Sequence, residues 1–194
     1  MYCIMLRATL EFWKGSNIDE GMLRLVKFCL NTFNLVPMKE LYFGWKMLTG
    51  LTADPLGIFD EADLRRPTDK SLSRLSALAW DLFLFRWCET LMTEFKEQYF
   101  FVPLVTTLDT ELLSALRLCP VRALLMNDDA QAVEAIFEDE RDLAECLDRA
   151  LPDEIKQLID NPRRRTAQKK IANHALSAAI NSLEAEVRKM VSVK

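Results

Sequence analysis

Residues 100–127 read FFVPLVTTLDTELLSALRLCPVRALLMN and decide the predicted fold. The runs 100–106 and 121–126 are short, apolar and rich in bulky side chains, so both are predicted as strands. Between them, residues 109–118 have the apolar spacing of a helix. This order predicts a β-α-β unit, whose two strands run parallel. We therefore expect an α/β fold with a small central parallel sheet heavily wrapped in helices, of the Rossmann-like kind.

The remainder of the chain is predicted to be helical, because apolar residues recur three and four positions apart. These helices cover 2–13, 20–33, 38–49, 72–97, 130–150 and 165–191. Breaks are predicted at Gly15–Asn17, Pro37, the loop 50–70, Pro120, Pro152 and Asn161–Pro162. We expect one domain over 1–160, followed over 161–194 by a long basic C-terminal helix that packs on the domain or extends from it.

Composition restricts the class of protein. The chain has 194 residues, and 50% of them are hydrophobic, which is ample for one sizeable core. No apolar run reaches the ~20 residues of a membrane span, and the N-terminus has no secretion leader. The five cysteines form no C-x-x-C pair and lie in apolar stretches, which indicates buried free thiols in a reducing compartment. We expect a soluble, cytoplasmic protein.

Asp81 is the first candidate site residue, because it is a lone carboxylate inside the apolar run Ala77–Phe85. An uncompensated buried charge costs several kcal/mol, so Asp81 needs a cation, a metal or hydrogen-bond donors, or lies at the mouth of a cleft. A structural ion pair with Arg86 or with a lysine of another helix is one interpretation. A shared metal site is the other.

Asp109 is the second candidate, because it follows the predicted strand 100–106, and sites in open α/β sheets lie beyond the carboxyl ends of the strands. Taken alone, Asp109 is typical of a helix N-cap. Together with Asp81 it predicts a site for Mg²⁺ or Mn²⁺, since these ions prefer oxygen ligands and activate a bound water for attack on a phosphodiester.

The stretch Thr107-Leu108-Asp109-Thr110-Glu111-Leu112 resembles the Thr-x-Asp-x-x-Leu signature of the PIN-like ribonucleases, including the toxins of toxin–antitoxin pairs. Together with the helix-borne Asp81, the resemblance spans about residues 77–127. It implies a PIN-like α/β domain over 1–160 that cleaves RNA through a metal-activated water, with Asp81 and Asp109 as catalytic metal ligands. An antitoxin-like protein would be its partner.

The family also carries a glutamate near the start of a helix, and Glu40 is the matching position here, as a third ligand. The chain departs from the family at its N-terminus, where the family has a strand that ends in a principal metal-binding aspartate. This chain begins Met1-Tyr2-Cys3-Ile4-Met5-Leu6 and has no aspartate before Asp19. The departure predicts a truncated or inactive enzyme.

Charge is segregated along the chain, although the net charge is only −4. Residues 128–160 hold twelve Asp and Glu against three Lys and Arg, whereas residues 162–194 hold eight Lys and Arg against two Glu. One interpretation is a pair of solvated helical faces that contact each other. The other is a tail that contacts RNA phosphates through Arg163, Arg164, Arg165, Lys169 and Lys170.

The aromatic side chains are predicted to belong to the core, because they share helices dense in Leu and Met: Trp13, Trp45, Trp80, Trp87, Phe83 and Phe85. Two functions from different classes follow. The first is the metal-dependent endoribonuclease. The second is a non-catalytic, mostly helical protein–protein interaction module that binds a partner or a second copy of itself.

Overall fold

The computed structural model describes residues 1–52, 62–92, 103, 105–108, 112–113, 117, 120–127, 132–160 and 173–192. Most of these residues are helical. The helices are α1 (Tyr2–Trp13), α2 (Ile18–Phe33), α3 (Met38–Thr52), α4 (Ala62–Arg65), α5 (Ser71–Met92), α6 (Glu140–Ala150), α7 (Asp153–Asp160) and α8 (Asn173–Ser192). The strands are β1 (Val121–Asn127) and β2 (Ala132–Phe137).

The predicted parallel sheet is wrong. In the described residues the sheet has two strands, and β1 pairs with β2 in antiparallel register from Val121↔Phe137 to Asn127↔Ala132. The strand predicted over 121–126 is present as β1, but its partner lies in a stretch predicted to be helical. Of the other predicted strand, 100–106, the described residues Pro103, Val105 and Thr106 are not in a strand. The mostly helical fold with one antiparallel hairpin replaces the PIN-like α/β prediction.

Helix α1 lies at the centre of the core and contacts α2, α3, α5 and α8. Its sequence Ile4-Met5-Leu6-Arg7-Ala8-Thr9-Leu10 is apolar on nearly every side, which is typical of a helix surrounded by others. The side chains of Ile4 to Leu6, Ala8 and Leu10 are all buried. The core is therefore built around the first helix of the chain.

Gly44 allows α3 to approach α1 and α2 closely. A Cβ atom at this position would lie 2.8 Å from Ile4 Cγ2 and 2.8 Å from Leu25 Cδ2, closer than carbon atoms tolerate. A glycine inside a helix lowers the intrinsic stability of that helix. At Gly44 this loss is offset by the close packing of α1, α2 and α3.

The ends of the first helices follow local sequence signals. Asn17 caps α2 by accepting a hydrogen bond from the Glu20 backbone N–H at 2.9 Å, and Asn34 ends α2 in the left-handed conformation with φ of 53°. Pro37 immediately precedes α3. The breaks predicted at Gly15–Asn17 and Pro37 are confirmed.

Helix α8 packs on α1 through Leu183 and Val187, which are buried. The Tyr2 hydroxyl donates to Glu184 Oε1 at 3.1 Å, and Lys14 pairs with Glu186 at 2.6 Å. The chain therefore closes its core by returning a C-terminal helix to its N-terminal one.

Candidate functional site

Of the three predicted metal ligands, Glu40 and Asp81 lie in the described residues. Glu40 lies in the first turn of α3, where its Oε1 accepts from Arg86 Nε at 3.3 Å. An arginine bound to a carboxylate occupies the oxygen that a cation would need. Glu40 is therefore placed as the partner of a side chain on α5.

Asp81 lies in the middle of α5 and is partly exposed. It is five residues from Arg86, which puts the two positions about 140° apart around the helix axis. Asp109 lies outside the described residues. Within the described part of the chain, no group of three or more His, Cys, Asp or Glu side chains is placed to hold a metal ion.

The predicted phosphate-contacting residues Arg163, Arg164, Arg165, Lys169 and Lys170 also lie outside the described residues. The acidic segment is better described, and some of its charged side chains pair with the N-terminal helices. Asp139 and Glu140 pair with lysines of α3, and Arg149 pairs with Asp19 of α2. These ion pairs dock the segment onto the N-terminal helices.

We call one of these contacts the α3 latch; it consists of Lys39, Tyr42, Lys46, Asp139 and Glu140. The Tyr42 hydroxyl donates to Asp139 Oδ1 at 2.6 Å, and Lys46 donates to Asp139 Oδ2. Lys39 reaches Glu140 Oε1 at 3.1 Å and also the Ala135 carbonyl oxygen. The latch ties the hairpin and α6 to α3.

The latch contains a tyrosine, a lysine and a carboxylate, which together could serve proton transfer. However, Tyr42 is only 1% exposed, and its ring stacks on Phe137 with 4.4 Å between centroids and 8° between planes. A reacting group must be reachable by its substrate. The burial of Tyr42 therefore favours a structural role for the latch.

A second polar cluster surrounds Glu11, which is fully buried. Its carboxylate pairs with Arg7 Nη2 at 2.5 Å and Arg24 Nη1 at 3.0 Å, and it accepts from Ser16 Oγ at 3.1 Å. We call this set the Glu11 cluster. It joins α1, the turn after it and α2, so it too holds helices together.

The cysteines of the described residues offer little reactivity. Cys3, Cys29 and Cys146 are buried free thiols, as predicted, and Cys88 is partly exposed. Burial raises the pKa of Cys3 to about 11 and that of Cys29 to about 12. Because the thiolate is the nucleophile, these two thiols are inert at neutral pH.

The surface that stands out is the outer side of α5. Trp80 is 70% exposed, Phe83 is 40% exposed and Trp87 is 50% exposed. Their rings touch in sequence, with centroids 5.7 Å apart for Trp80 and Phe83 and 6.2 Å apart for Phe83 and Trp87. We call these three side chains the α5 aromatic face. The prediction that they belong to the core is wrong, whereas it is confirmed for Trp45.

Helix α5 is apolar on both sides. Leu75, Leu78 and Leu82 are buried in the core. Trp80 lies two residues from both Leu78 and Leu82, about 200° around the helix, so it projects away from the core. An apolar outer side on a helix that already buries its inner side is the signal that could have located this surface from the sequence.

A groove of about 310 Å³ adjoins the aromatic face. The start of α1 and helix α5 line this groove. Its lining residues are Met1, Tyr2, Ser76, Ala79, Trp80 and Phe83. The small side chains of Ser76 and Ala79 make the space, and the rings beside them make it apolar.

No helix in the described ranges is long and apolar enough to cross a membrane. Comparison with known protein families, with curated proteins and with solved structures found no match to this chain.

Proposed function

We propose that this chain is a non-catalytic helical protein–protein interaction module and that the α5 aromatic face is its binding surface. The observation that carries the proposal is the contiguous exposure of Trp80, Phe83 and Trp87 on one helix. Large exposed apolar patches on proteins mark interaction sites, and tryptophan is among the residues most enriched in binding hot spots.

The buried polar clusters also support a non-catalytic role. In the α3 latch and the Glu11 cluster, charged side chains are paired with one another and join helices. Such pairs hold a scaffold rather than act on a substrate. A rigid scaffold that presents a preformed apolar helix face loses little conformational entropy on binding.

Site-specific photocrosslinking in cells that express this chain tests whether the α5 aromatic face binds a protein. The photoreactive residue p-benzoylphenylalanine replaces Trp80 in one variant and Gln157, an exposed residue of α7, in the control. We expect one or a few discrete protein adducts from position 80 that the control lacks. No adduct from position 80, or the same adducts from both positions, would contradict the proposal.

Thermal unfolding with millimolar Mn²⁺ separates this function from the metal-dependent ribonuclease. A metal that binds the native state raises the unfolding temperature by mass action. We expect no rise that depends on Asp81. A rise that disappears in both Asp81→Asn and Asp109→Asn would replace the interaction module with a carboxylate metal site.

A further inference from the structure

We infer that the occupant of the α5 aromatic face is a second copy of this chain, packed antiparallel across a two-fold axis that passes between Phe83 and Leu84. The inference rests on the proposed function, because it names the partner of the same surface. It follows from the way the two halves of the outer side of α5 differ in size.

Before Trp80 this side is built from small residues, Ser73, Ser76 and Ala77, and after it from large ones, Phe83, Leu84 and Trp87. A surface with a hollow at one end and a projection at the other can complement a reversed copy of itself. The groove beside Ser76 and Ala79 is the hollow. Trp87, half-exposed, is the projection.

The spacing of hollow and projection fits a two-fold axis. Trp87 lies seven residues after Trp80, which is about two helical turns and roughly 10.5 Å along the axis. A two-fold axis midway between the two residues places Trp87 of one copy opposite Trp80 of the other. Because Trp80 lines the groove, Trp87 then lies next to the groove of the other copy. Both grooves are filled at once, as the closed symmetry of a two-fold dimer requires.

The groove is large enough for the projection. A cavity of about 150 Å³ holds a benzene molecule, so 310 Å³ accommodates the two-ring indole of Trp87. Trp87 also lies on the same side of α5 as Phe83 and the groove. In an antiparallel two-fold arrangement the N-terminal half of one helix faces the C-terminal half of the other, so the hollow meets the projection, whereas in a parallel one each half faces its own copy.

The area is that of a modest dimer. At about 200–250 Å² for a fully exposed ring side chain, the three aromatic residues offer roughly 350 Å² per copy. The two copies together therefore offer roughly 700 Å² of aromatic surface, which is the scale of a weak interface, below the ~1,000 Å² of a stable one. We therefore expect a dimer that forms at micromolar protein concentrations rather than a permanent one.

Sedimentation velocity of the purified full chain across the micromolar range tests the inference. We expect a monomer–dimer equilibrium whose dissociation constant rises by about tenfold or more in Trp87→Ser, which removes the projection, and in Ser76→Leu, which fills the hollow. Leu158→Ser, an exposed leucine of α7, is the control and should leave the dissociation constant unchanged. Circular dichroism confirms that each variant is folded.

Cysteine crosslinking tests the antiparallel register in a Cys88→Ser background. Leu84→Cys lies next to the proposed axis, so two copies should join through this residue on mild oxidation. Ser73→Cys lies on the same side of α5 but 11 residues away from position 84, so its two copies would be roughly 30 Å apart. Crosslinking at both positions would indicate a parallel arrangement and overturn the inference.

The remaining outcomes separate this inference from the proposed function. A monomer at all concentrations, with a different protein crosslinked to position 80 in cells, overturns the second copy and keeps the interaction module. A dimer that neither Trp87→Ser nor Ser76→Leu weakens also overturns the inference. A monomer without any adduct at position 80 overturns both.

Discussion

Helices α3 and α5 are both rich in aromatic side chains, yet the molecule uses them in opposite ways. In α3, Tyr42, Phe43 and Trp45 are buried, and the neighbouring lysines are paired with carboxylates. In α5, Trp80 and Trp87 are largely exposed. The difference indicates that the folding of one chain is complete around α3, whereas α5 still has apolar surface left to bury.

The difference between α3 and α5 predicts that substitutions in the two regions change different quantities. Changes in the interior contacts of α1–α3 should alter the stability of the single chain, because they leave buried groups unpaired or overpacked. Changes on the α5 aromatic face should alter association instead.

Among the polar contacts, the largest effect is expected from Glu11→Ala, which removes the carboxylate that Arg7 and Arg24 share. The arginine side chains left behind are 21% and 47% exposed, so we expect a loss at the low end for a broken buried ion pair, about 3 kcal/mol in the free energy of unfolding. Urea denaturation measures it. Glu186→Ala, which breaks the partly exposed pair with Lys14, is the control and should cost less than about 1 kcal/mol. Equal losses would mean that the Glu11 cluster is not a special contact.

A somewhat smaller effect is expected from Gly44→Ala. The added methyl group would meet Ile4 and Leu25 side chains at 2.8 Å, so α3 must shift away from α1 and α2. Overpacking of this kind costs about 1–3 kcal/mol, although alanine has the better helix propensity. The unfolding temperature measures the loss. Gly21→Ala meets Leu48 at a longer 3.1 Å and should be milder, and a stabilised Gly44→Ala would show that the helices have room.

The α3 latch predicts a loss of about 1–2 kcal/mol for Tyr42→Phe, because Asp139 loses a hydrogen-bond donor at a buried site. Urea denaturation again reports the change. Tyr2→Phe removes the same hydroxyl from the less buried contact with Glu184 and serves as the matched control. If Tyr2→Phe were the more costly of the two, the burial of the Tyr42 hydroxyl would not be what sets the size of the loss.

The sequence predicted the helical part of the fold where local signals agree with apolar spacing. Asn17, Asn34 and Pro37 fix the ends of α2 and the start of α3 through caps and a proline, which act within a few residues. β1 was predicted for a similar reason, from its apolar composition. These features do not depend on distant parts of the chain.

The sequence failed where pairing or packing with another segment decides the outcome. The spacing of Val133, Ile136 and Phe137 suits a helix as well as a strand, and only pairing with β1 makes it a strand. The antiparallel direction also arises from that pairing. Trp80 and Leu82 belong to one apolar run, and only the position of the core shows that one faces outward and the other inward.

The ion pair between Asp19 and Arg149 predicts a small effect that depends on pH. Hydrogen bonds from Arg149, at 2.7 Å to each carboxylate oxygen, lower the pKa of Asp19 below its ordinary value. A lowered pKa in the folded state contributes stability above the unfolded pKa of about 3.9, and this is lost as the pH falls through the folded pKa. Asp19→Asn should therefore be less stable than the unaltered chain at pH 7, and the gap should close in acid.

Thermal unfolding from neutral pH to below pH 4 measures the difference in stability between Asp19→Asn and the unaltered chain. This range is chosen because it includes the unfolded pKa of aspartate, about 3.9. Asp142→Asn, which removes an exposed carboxylate of α6, is the control and should show a smaller gap. A gap for Asp19→Asn that stays constant with pH would mean that its cause is not the carboxylate charge.

The smallest effect on the single chain is expected from Trp80→Ser. Because most of this side chain is exposed, its loss should change the free energy of unfolding by less than about 1 kcal/mol when the protein is too dilute to associate. At higher concentration the unaltered chain gains stability from binding a second copy, so the gap to the variant should widen. Leu82→Ala, two residues away but buried, should cost about 2–5 kcal/mol at every concentration. A large loss for Trp80→Ser in dilute protein would place Trp80 in the core after all and remove the contrast between α3 and α5.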